Sequence, residues 1–255
     1  MKKKLLTVTF QFGILLFFIA VGCKKEIKKD NSVNIEKNNN NTLTQEEKEN
    51  GWKLLFDGKT TNGWHKFNDG KVNSGWKVEN GELVALGKGG DIGGDIVTDE
   101  DFDNFELKLE WKISHGGNSG IFYHVKEGKE YKAPYFTGPE YQLLDDVGFP
   151  QKIKEWQMTG ANYAMHVADK SKKELKMVGE WNTAKIVVKD SLVQHYLNGK
   201  KIVEFKQWTD DWYKRKNSGK WKEYKDYGKF KTGKIGLQDH GNKIWFRNIK
   251  IKPLN

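Results

Sequence analysis

The chain has 255 residues, with 44 Lys plus Arg against 34 Asp plus Glu and a formal net charge of +10. Almost all of the excess is lysine, since Arg215 and Arg247 are the only arginines. Base-reading and bidentate phosphate sites favour Arg, and no RNA- or DNA-binding motif is present, so nucleic acid is set aside as a partner. A single cysteine, Cys23, excludes an intrachain disulfide and leaves the redox compartment open.

Residues 1–22 read as an export signal. Lys2, Lys3 and Lys4 form its positive end, and Leu5 to Ala20 is a largely apolar run, short for a spanning helix. Ala20-Val21-Gly22-Cys23 resembles a bacterial lipobox, which implies cleavage before Cys23 and lipidation of its sulfur. A plain signal peptide or an uncleaved anchor is the alternative. Lys24 follows the cysteine where an Asp would favour inner-membrane retention. The expected location is therefore the cell envelope, with the chain anchored to the outer membrane through its N-terminal lipid. Residues 23–50 are polar, rich in Asn and Lys and nearly free of aromatics. They read as a disordered tether. Residues 51–255 suit one domain.

That domain is punctuated like an all-β protein. Gly51 to Phe56 opens, and Asp57-Gly58 turns. Trp76-Lys77-Val78-Glu79 and Glu82-Leu83-Val84-Ala85 flank Asn80-Gly81, a strong hairpin signal. Asp91 to Val97 follows a glycine loop. Phe105 to Ile113 alternates cleanly, with Phe105, Leu107, Leu109, Trp111 and Ile113 on one face. A glycine loop at His115–Gly120 leads into Ile121 to Val125. Tyr163 to Val167 is a further short run. Trp181 to Lys189, Leu192 to Leu197 and Lys200 to Phe205 form a three-strand meander. Thr209 to Lys229 breaks the pattern: many lysines lie among Trp212, Tyr213, Trp221, Tyr224 and Tyr227, with a helical turn or two expected on each side of Ser218-Gly219. It reads as a surface excursion pinned by aromatics or as a lid over a sugar site. Lys234 to Gln238 and Ile244 to Ile251 close the chain. About a dozen short strands with no βαβ rhythm predict a two-sheet antiparallel sandwich.

One stretch does not fit a plain sandwich. Phe136 to Asp146 places Glu140 and Gln142 on one strand face and Tyr141 and Leu143 on the other. Glu is a poor strand former. Either this face meets water or it is a polar site built on a sheet.

Several stretches, in order, resemble the 3-keto-disaccharide hydrolase domain family. They include Leu54-Leu55-Phe56-Asp57-Gly58 with Gly63-Trp64, Glu106 to Trp111, Gly117 to Phe122, Glu140 to Asp146, Gly179 to Asn182, Gly236 to Gly241 and Phe246 to Ile249. The resemblance spans Gly51 to Leu254. It implies an all-β concanavalin A-like (laminin G-like) jelly roll acting on sugars that carry a ketone at C3. Many members are lipoproteins, in agreement with Cys23.

Such a ketone makes the C2 hydrogen acidic. A base removes it, the enolate expels the C1 substituent, and water adds back. The route needs a base, a stabiliser for the enolate oxygen and an acid for the leaving group. A bound divalent metal ion could do the stabilising. The expected catalytic residues are Glu140 (also a possible metal ligand), His166 and His240. Gln142, Asp145, Asn118 and Arg247 are the expected substrate contacts. Each has a structural alternative: a Glu140–Arg247 ion pair, a plain turn at Asp239-His240-Gly241, turn chemistry at Asn118-Ser119. His115, His124 and His195 read as surface histidines, and Trp181 and Trp245 as packing residues. Laminarinase-like retaining glycosidases carry Glu-x-Asp-x-x-Glu on one strand, and Glu140, Gln142 and Asp145 sit at that spacing. Gln142 cannot ionise, and a retaining mechanism needs two carboxylates, so ordinary retaining hydrolysis is disfavoured. The rival functions are a non-catalytic glycan-binding module and a structural surface protein with no sugar site.

Overall fold

The computed structural model describes residues 40–87 and 94–255. The expected signal peptide, Cys23, residues 24–39 of the expected tether and residues 91–93 lie outside the described residues. Thirteen strands are found among those described: β1 (Lys53–Leu54), β2 (Trp64–Lys66), β3 (Trp76–Glu79), β4 (Glu82–Leu86), β5 (Ile96–Thr98), β6 (Phe105–Ile113), β7 (Asn118–Val125), β8 (Glu140–Leu144), β9 (Asn182–Lys189), β10 (Leu192–Leu197), β11 (Lys200–Lys206), β12 (Lys234–Leu237) and β13 (Lys243–Pro253). Two short helices, α1 (Gln45–Glu49) and α2 (Asp210–Ser218), complete the regular elements used below.

The strands form two antiparallel sheets. The larger runs β11-β10-β9-β6-β13-β4-β3, with β1 added on β13; the smaller runs β2-β5-β12-β7-β8. The chain is therefore an all-β sandwich of the concanavalin A-like kind, as expected. Period-two alternation explains the core. In β6 every odd residue from Phe105 to Ile113 is buried and every even one half-buried. These side chains meet Tyr141 and Leu143 of β8 and Ile121 and Tyr123 of β7 from the facing sheet. Each large apolar side chain buried this way contributes about 1.5–3 kcal/mol. Asn80-Gly81 and Asn198-Gly199 all take positive φ, the signature of the two-residue turns that match strand twist.

Four details differ from the sequence expectations. Residues 40–50 are folded rather than part of a tether. Thr44 and Glu47 form a capping box at the start of α1. Glu47 then accepts from Lys250 at 2.8 Å, and Asn41 and Asn248 exchange backbone-to-side-chain bonds. Tyr163 to Val167 is not a strand. Asn162 and His166 pair across a tight turn in which Ala164 has φ +58°. His124 and His195 are buried, not surface residues. His195 shares its strand face with Val193 and Leu197, so it faces the core, where its Nδ1 lies 3.0 Å from the Gly160 carbonyl. Finally, every residue of β8 is buried on both faces, so Glu140 and Gln142 do not belong to a water-washed sheet face.

The last point follows from how the edge of the smaller sheet is covered. β8 is an edge strand, and unpaired edges invite association. Here the irregular segment 159–163 lies along it. The Gln142 amide donates to the Ala161 carbonyl at 3.1 Å, the Gly160 amide to Gln142 at 2.8 Å, and the Tyr163 amide to Glu140 at 3.0 Å. The excursion after β11 supplies the rest of the cover. Thr209 caps α2, and Trp212, Trp221 and Tyr227 are fully buried. Tyr227 lies between the two indoles in near-parallel stacks, at 4.2 Å from Trp221 and 5.9 Å from Trp212. That pillar fixes Lys220 and Tyr224 over the smaller sheet.

Candidate active site

All five strands of the smaller sheet, or the turns at their ends, contribute to one cleft of about 470 Å³. Lys66 comes from β2 and Asp95 from the residue before β5. Asn118 lies on β7, Glu140 and Gln142 on β8, and Gln238, Asp239 and His240 follow β12. Tyr135, Tyr163, Lys220, Trp221 and Tyr224 form the opposite wall. The floor is the sheet face turned away from the sandwich core, because Glu140 and Gln142 alternate with the core residues Tyr141 and Leu143.

Glu140 is only 4 % exposed. Among the described residues its carboxyl makes no hydrogen bond or ion pair. Desolvation pushes its pKa up to about 8, against a smaller downward pull from Lys220 and a further push from Asp95. A buried carboxyl with nothing to hold its charge stays protonated near neutral pH. Room for it is made by Gly120, which stands opposite Gln142 in the β7–β8 register. A methyl group at Gly120 would lie 2.2 Å from Oε1 of Glu140.

Beside Glu140, the Gln142 amide donates to Asn118 Oδ1 at 2.9 Å. Used this way, the pair leaves one carbonyl oxygen and one NH₂ group turned to a ligand. Gln238 adds an amide whose oxygen is buried without a partner. Asp95 and Asp239 are tied into their turns: Asp95 accepts from the Asp239 amide, and Asp239 from the Gly241 amide, each at 3.0 Å. Burial raises the Tyr163 phenol, and the nearby Glu140 raises it further. The Lys220 ammonium lies 4.3 Å from the centre of the Tyr163 ring, 4.8 Å from Trp221 and 5.9 Å from Tyr135.

Four of the seven residues expected at the site thus meet in one cleft: Glu140, Gln142, Asn118 and His240. The other three lie elsewhere. His166 lines a separate cavity with Arg215. It stacks on Phe205 at 4.2 Å, and burial, with Arg215, lowers its pKa to about 4. Asp145 follows Leu144, the last residue of β8, and turns into the following loop. Partial burial pushes its carboxyl up, but the amides of Gly148, Gly116 and Val147 outweigh this and hold it below its ordinary value. It borders a larger, mainly apolar hollow of about 640 Å³. Arg247 lies on β13 of the other sheet, bonded to Glu110 at 2.7 Å rather than to Glu140, and over the Trp181 ring at 4.0 Å. Trp181 is thus a partner for Arg247 and Lys112 rather than a core residue.

The sequence reading missed Lys220, Tyr163, Tyr135, Asp95 and Gln238. Two of them carried a signal: Lys220 stands within the aromatic excursion that doubled as a lid candidate, and Gln238 within the Gly236 to Gly241 stretch of the family resemblance. Among the described residues no three His, Cys, Asp or Glu side chains gather so as to hold a metal ion. The donor set does not fit a metal centre at Glu140, and no step below is routed through one.

A family model described as a 3-keto-alpha-glucoside-1,2-lyase-like domain matches residues 51–252. The chain belongs to this family. It is 34 % identical over 229 residues to a 3-keto-disaccharide hydrolase from Bacteroides thetaiotaomicron, covering 80 % of this chain and 79 % of that protein. A crystal structure from Parabacteroides distasonis, provisionally named a glycosyl hydrolase, is 47 % identical with a TM-score of 0.79, covering 85 % of this chain and all of that one. A second from the same organism, also provisionally named a glycosyl hydrolase, is 29 % identical with a TM-score of 0.61, covering 80 % and 99 %. The 3-keto-alpha-glucoside-1,2-lyase-like match takes in every residue of the cleft.

Proposed function

We propose that this protein cleaves 3-keto-glycosides or 3-keto-disaccharides, with Glu140 moving the proton at C2. The observation that carries the reading is the Glu140 carboxyl: buried, unpartnered, raised to about 8 and placed in a polar cleft. A structural carboxylate is held by partners; one kept without them is better explained as a proton-transfer group tuned near the working pH. Membership of the family and the name of the Bacteroides thetaiotaomicron relative support the same chemistry.

The steps are these. The ionised Glu140 takes the C2 hydrogen as a proton, and the electron pair of that bond moves to the C3 oxygen as an enolate. The enolate collapses back to the ketone and expels the C1 oxygen, leaving a C1–C2 double bond. His240 or Tyr163 supplies the proton that the departing oxygen needs. Water then adds, hydroxyl to C1 and proton to C2, so that the overall change is hydrolysis. The Asn118–Gln142 pair and Gln238 orient hydroxyls. The aromatic wall covers the apolar face of the ring.

The test is turnover. The purified protein should release the C1 group from a 3-keto-glycoside and leave the unoxidised glycoside intact. Glu140→Gln should abolish release and keep most of the binding. Absence of turnover on every 3-keto sugar tried would overturn the proposal. We also propose, from residues 1–24 alone, that lipid on Cys23 ties the protein to the outer membrane; membrane fractionation of Cys23→Ala tests it.

A further inference from the structure

Besides a base, the reaction proposed above requires a group to meet the negative charge that develops on the C3 oxygen. Resting on that reading, we propose that Lys220 is this group: its ammonium is the electrophile that stabilises the enolate, noncovalently, across the cleft from Glu140.

Lys220 lines the same cleft as Glu140. It is held there by the ring pillar of Trp212, Tyr227 and Trp221, to which it is the immediate chain neighbour. A lysine at a rim is ordinarily free to swing away. This one is confined by three aromatic rings within 6 Å, a geometry that attracts a cation to the ring faces.

Lys220 also lacks a polar partner: among the described residues its ammonium makes no hydrogen bond or ion pair. The other cations of the cleft differ: Lys66 is bonded to Asp69 at 3.2 Å, and Lys132 is exposed at the rim, with no ring over it among the described residues. Rings attract a cation but accept no strong hydrogen bond, so the three donors of Lys220 remain free for an oxygen anion.

Glu140 and Lys220 are coupled electrostatically. The titratable side chains facing this pair are Asp95, Asp239, His240, Lys66, Lys132, Tyr135, Tyr163 and Tyr224, yet Lys220 is the cation that acts on Glu140. Lys220 as a whole is exposed, but crowding of its ammonium end lowers its pKa, and Glu140 opposes that shift. In the resting cleft Glu140 is neutral and Lys220 cationic. Binding a neutral ketone adds no charge. The ionised fraction of Glu140 then takes the C2 proton, and its negative charge passes to the C3 oxygen beside a preorganised cation, where such stabilisation is worth most.

The closing experiment compares wild type, Lys220→Met and Lys220→Arg on a 3-keto-glycoside, following both release of the C1 group and exchange of the C2 hydrogen in D₂O. Lys220→Met should lower kcat by about 100- to 1,000-fold, the usual cost of one oxyanion donor, while KM changes only a few-fold. C2 exchange should slow in parallel. Lys220→Arg should recover part of the rate. With its only cationic perturber gone, the Glu140 limb of the pH profile should move to higher pH in Lys220→Met. Thermal melts establish that each variant is folded. Wild type active with Lys220→Met within a few-fold in kcat and C2 exchange overturns this inference and leaves the proposed function standing. A wild type inert toward all 3-keto-glycosides overturns both. Borohydride trapping of a covalent Lys220–sugar adduct would replace the noncovalent role with an imine and overturn the inference as stated.

Discussion

Glu140→Gln should make the protein more stable, and increasingly so as the pH rises. In the native state the carboxyl titrates at about 8, against 4.5 for an unperturbed glutamate. Between those values the native protein holds a proton that the unfolded chain has released. Stability therefore falls as pH rises through this window. Each pH unit costs about 1.4 kcal/mol, so the penalty is about 2 kcal/mol at pH 6 and about 4 kcal/mol at pH 8. It flattens above that, once the native carboxyl ionises too. Glutamine keeps the shape and removes the titration. Its amide adds a term of its own, but that term is independent of pH, so the informative quantity is the change in the gap between variant and wild type. For a domain of this size 1 kcal/mol is worth about 2–4 °C in Tm. The gap should widen by about 10 °C between pH 4.5 and pH 8 in parallel thermal melts. A gap that stays flat across that range would mean that Glu140 is ionised at neutral pH, and the description of a neutral, desolvated carboxyl would be wrong.

Other expectations follow from the same geometry. As a base, Glu140 should give kcat/KM a rising limb centred near pH 8, because the ionised form is the active one; a falling limb there would make it an acid instead. Gly120→Ala should displace the Glu140 side chain, since the new methyl would lie 2.2 Å from Oε1. Turnover should drop at least ten-fold with the fold intact by circular dichroism, and an unaffected rate would show that the carboxyl position is immaterial. His166→Gln and Arg247→Lys should leave kcat/KM within a few-fold of wild type, as both residues lie outside the cleft; a hundred-fold loss in either would redraw the site. His195 is buried and neutral, with a pKa near 3 where its unfolded value is 6.5, so it contributes stability above pH 6.5 that is lost as pH falls toward 3. His195→Gln should flatten the acid side of a stability–pH curve, and an unchanged slope would count against this role.

How much of this was legible in the residues depends on the range of the interaction. Alternation in Phe105–Ile113 and the Asn-Gly turns are local, and they led directly to β6 and to the two hairpins. The polar strand Glu140–Leu144 was legible for the same reason, because its two faces differ within five residues. The capping box at Thr44 and Glu47 was there to be read, but the Asn-rich composition around it argued for a tether. What holds residues 40–50 in place is Asn248 and Lys250, some 200 positions away. Asp145 was assigned to the cleft because it lies close to Glu140 in the chain. A strand end sets no direction for the next side chain, and three loop amides turned the carboxyl away. Arg247 was expected to contact substrate, with an ion pair to Glu140 as the alternative; neither holds, because the two strands belong to different sheets and Arg247 is bonded to Glu110. Lys220 and Tyr163 reach the cleft through tertiary packing of irregular segments, for which no periodicity exists.

The comparison with retaining glycosidases can now be argued on geometry rather than spacing. Those enzymes need a nucleophile and an acid about 5 Å apart on the same strand. Here the middle position of the Glu-x-Asp-x-x-Glu pattern is Gln142, an amide bonded to Asn118. The last is Asp145, which has left the cleft for a nest of backbone amides. The strand therefore presents one ionisable group to the cleft, and that group is neutral at rest. A lone carboxyl that is neutral at rest is no ready nucleophile, but its ionised fraction can take a proton from a carbon acid whose anion is met by a nearby cation. Replacing the middle carboxylate does two things at once. With Asp145 already out of the cleft, it leaves no second carboxylate for attack at C1, and it removes the second negative charge that would compete with a developing enolate. Gln142→Asp puts that charge back beside Glu140. Like charges in one desolvated site raise each other's pKa, so the Glu140 limb of kcat/KM should move to higher pH and the rate on a 3-keto-glycoside should fall at neutral pH. An unchanged limb would place Gln142 too far from Glu140 for the substitution to matter to the chemistry.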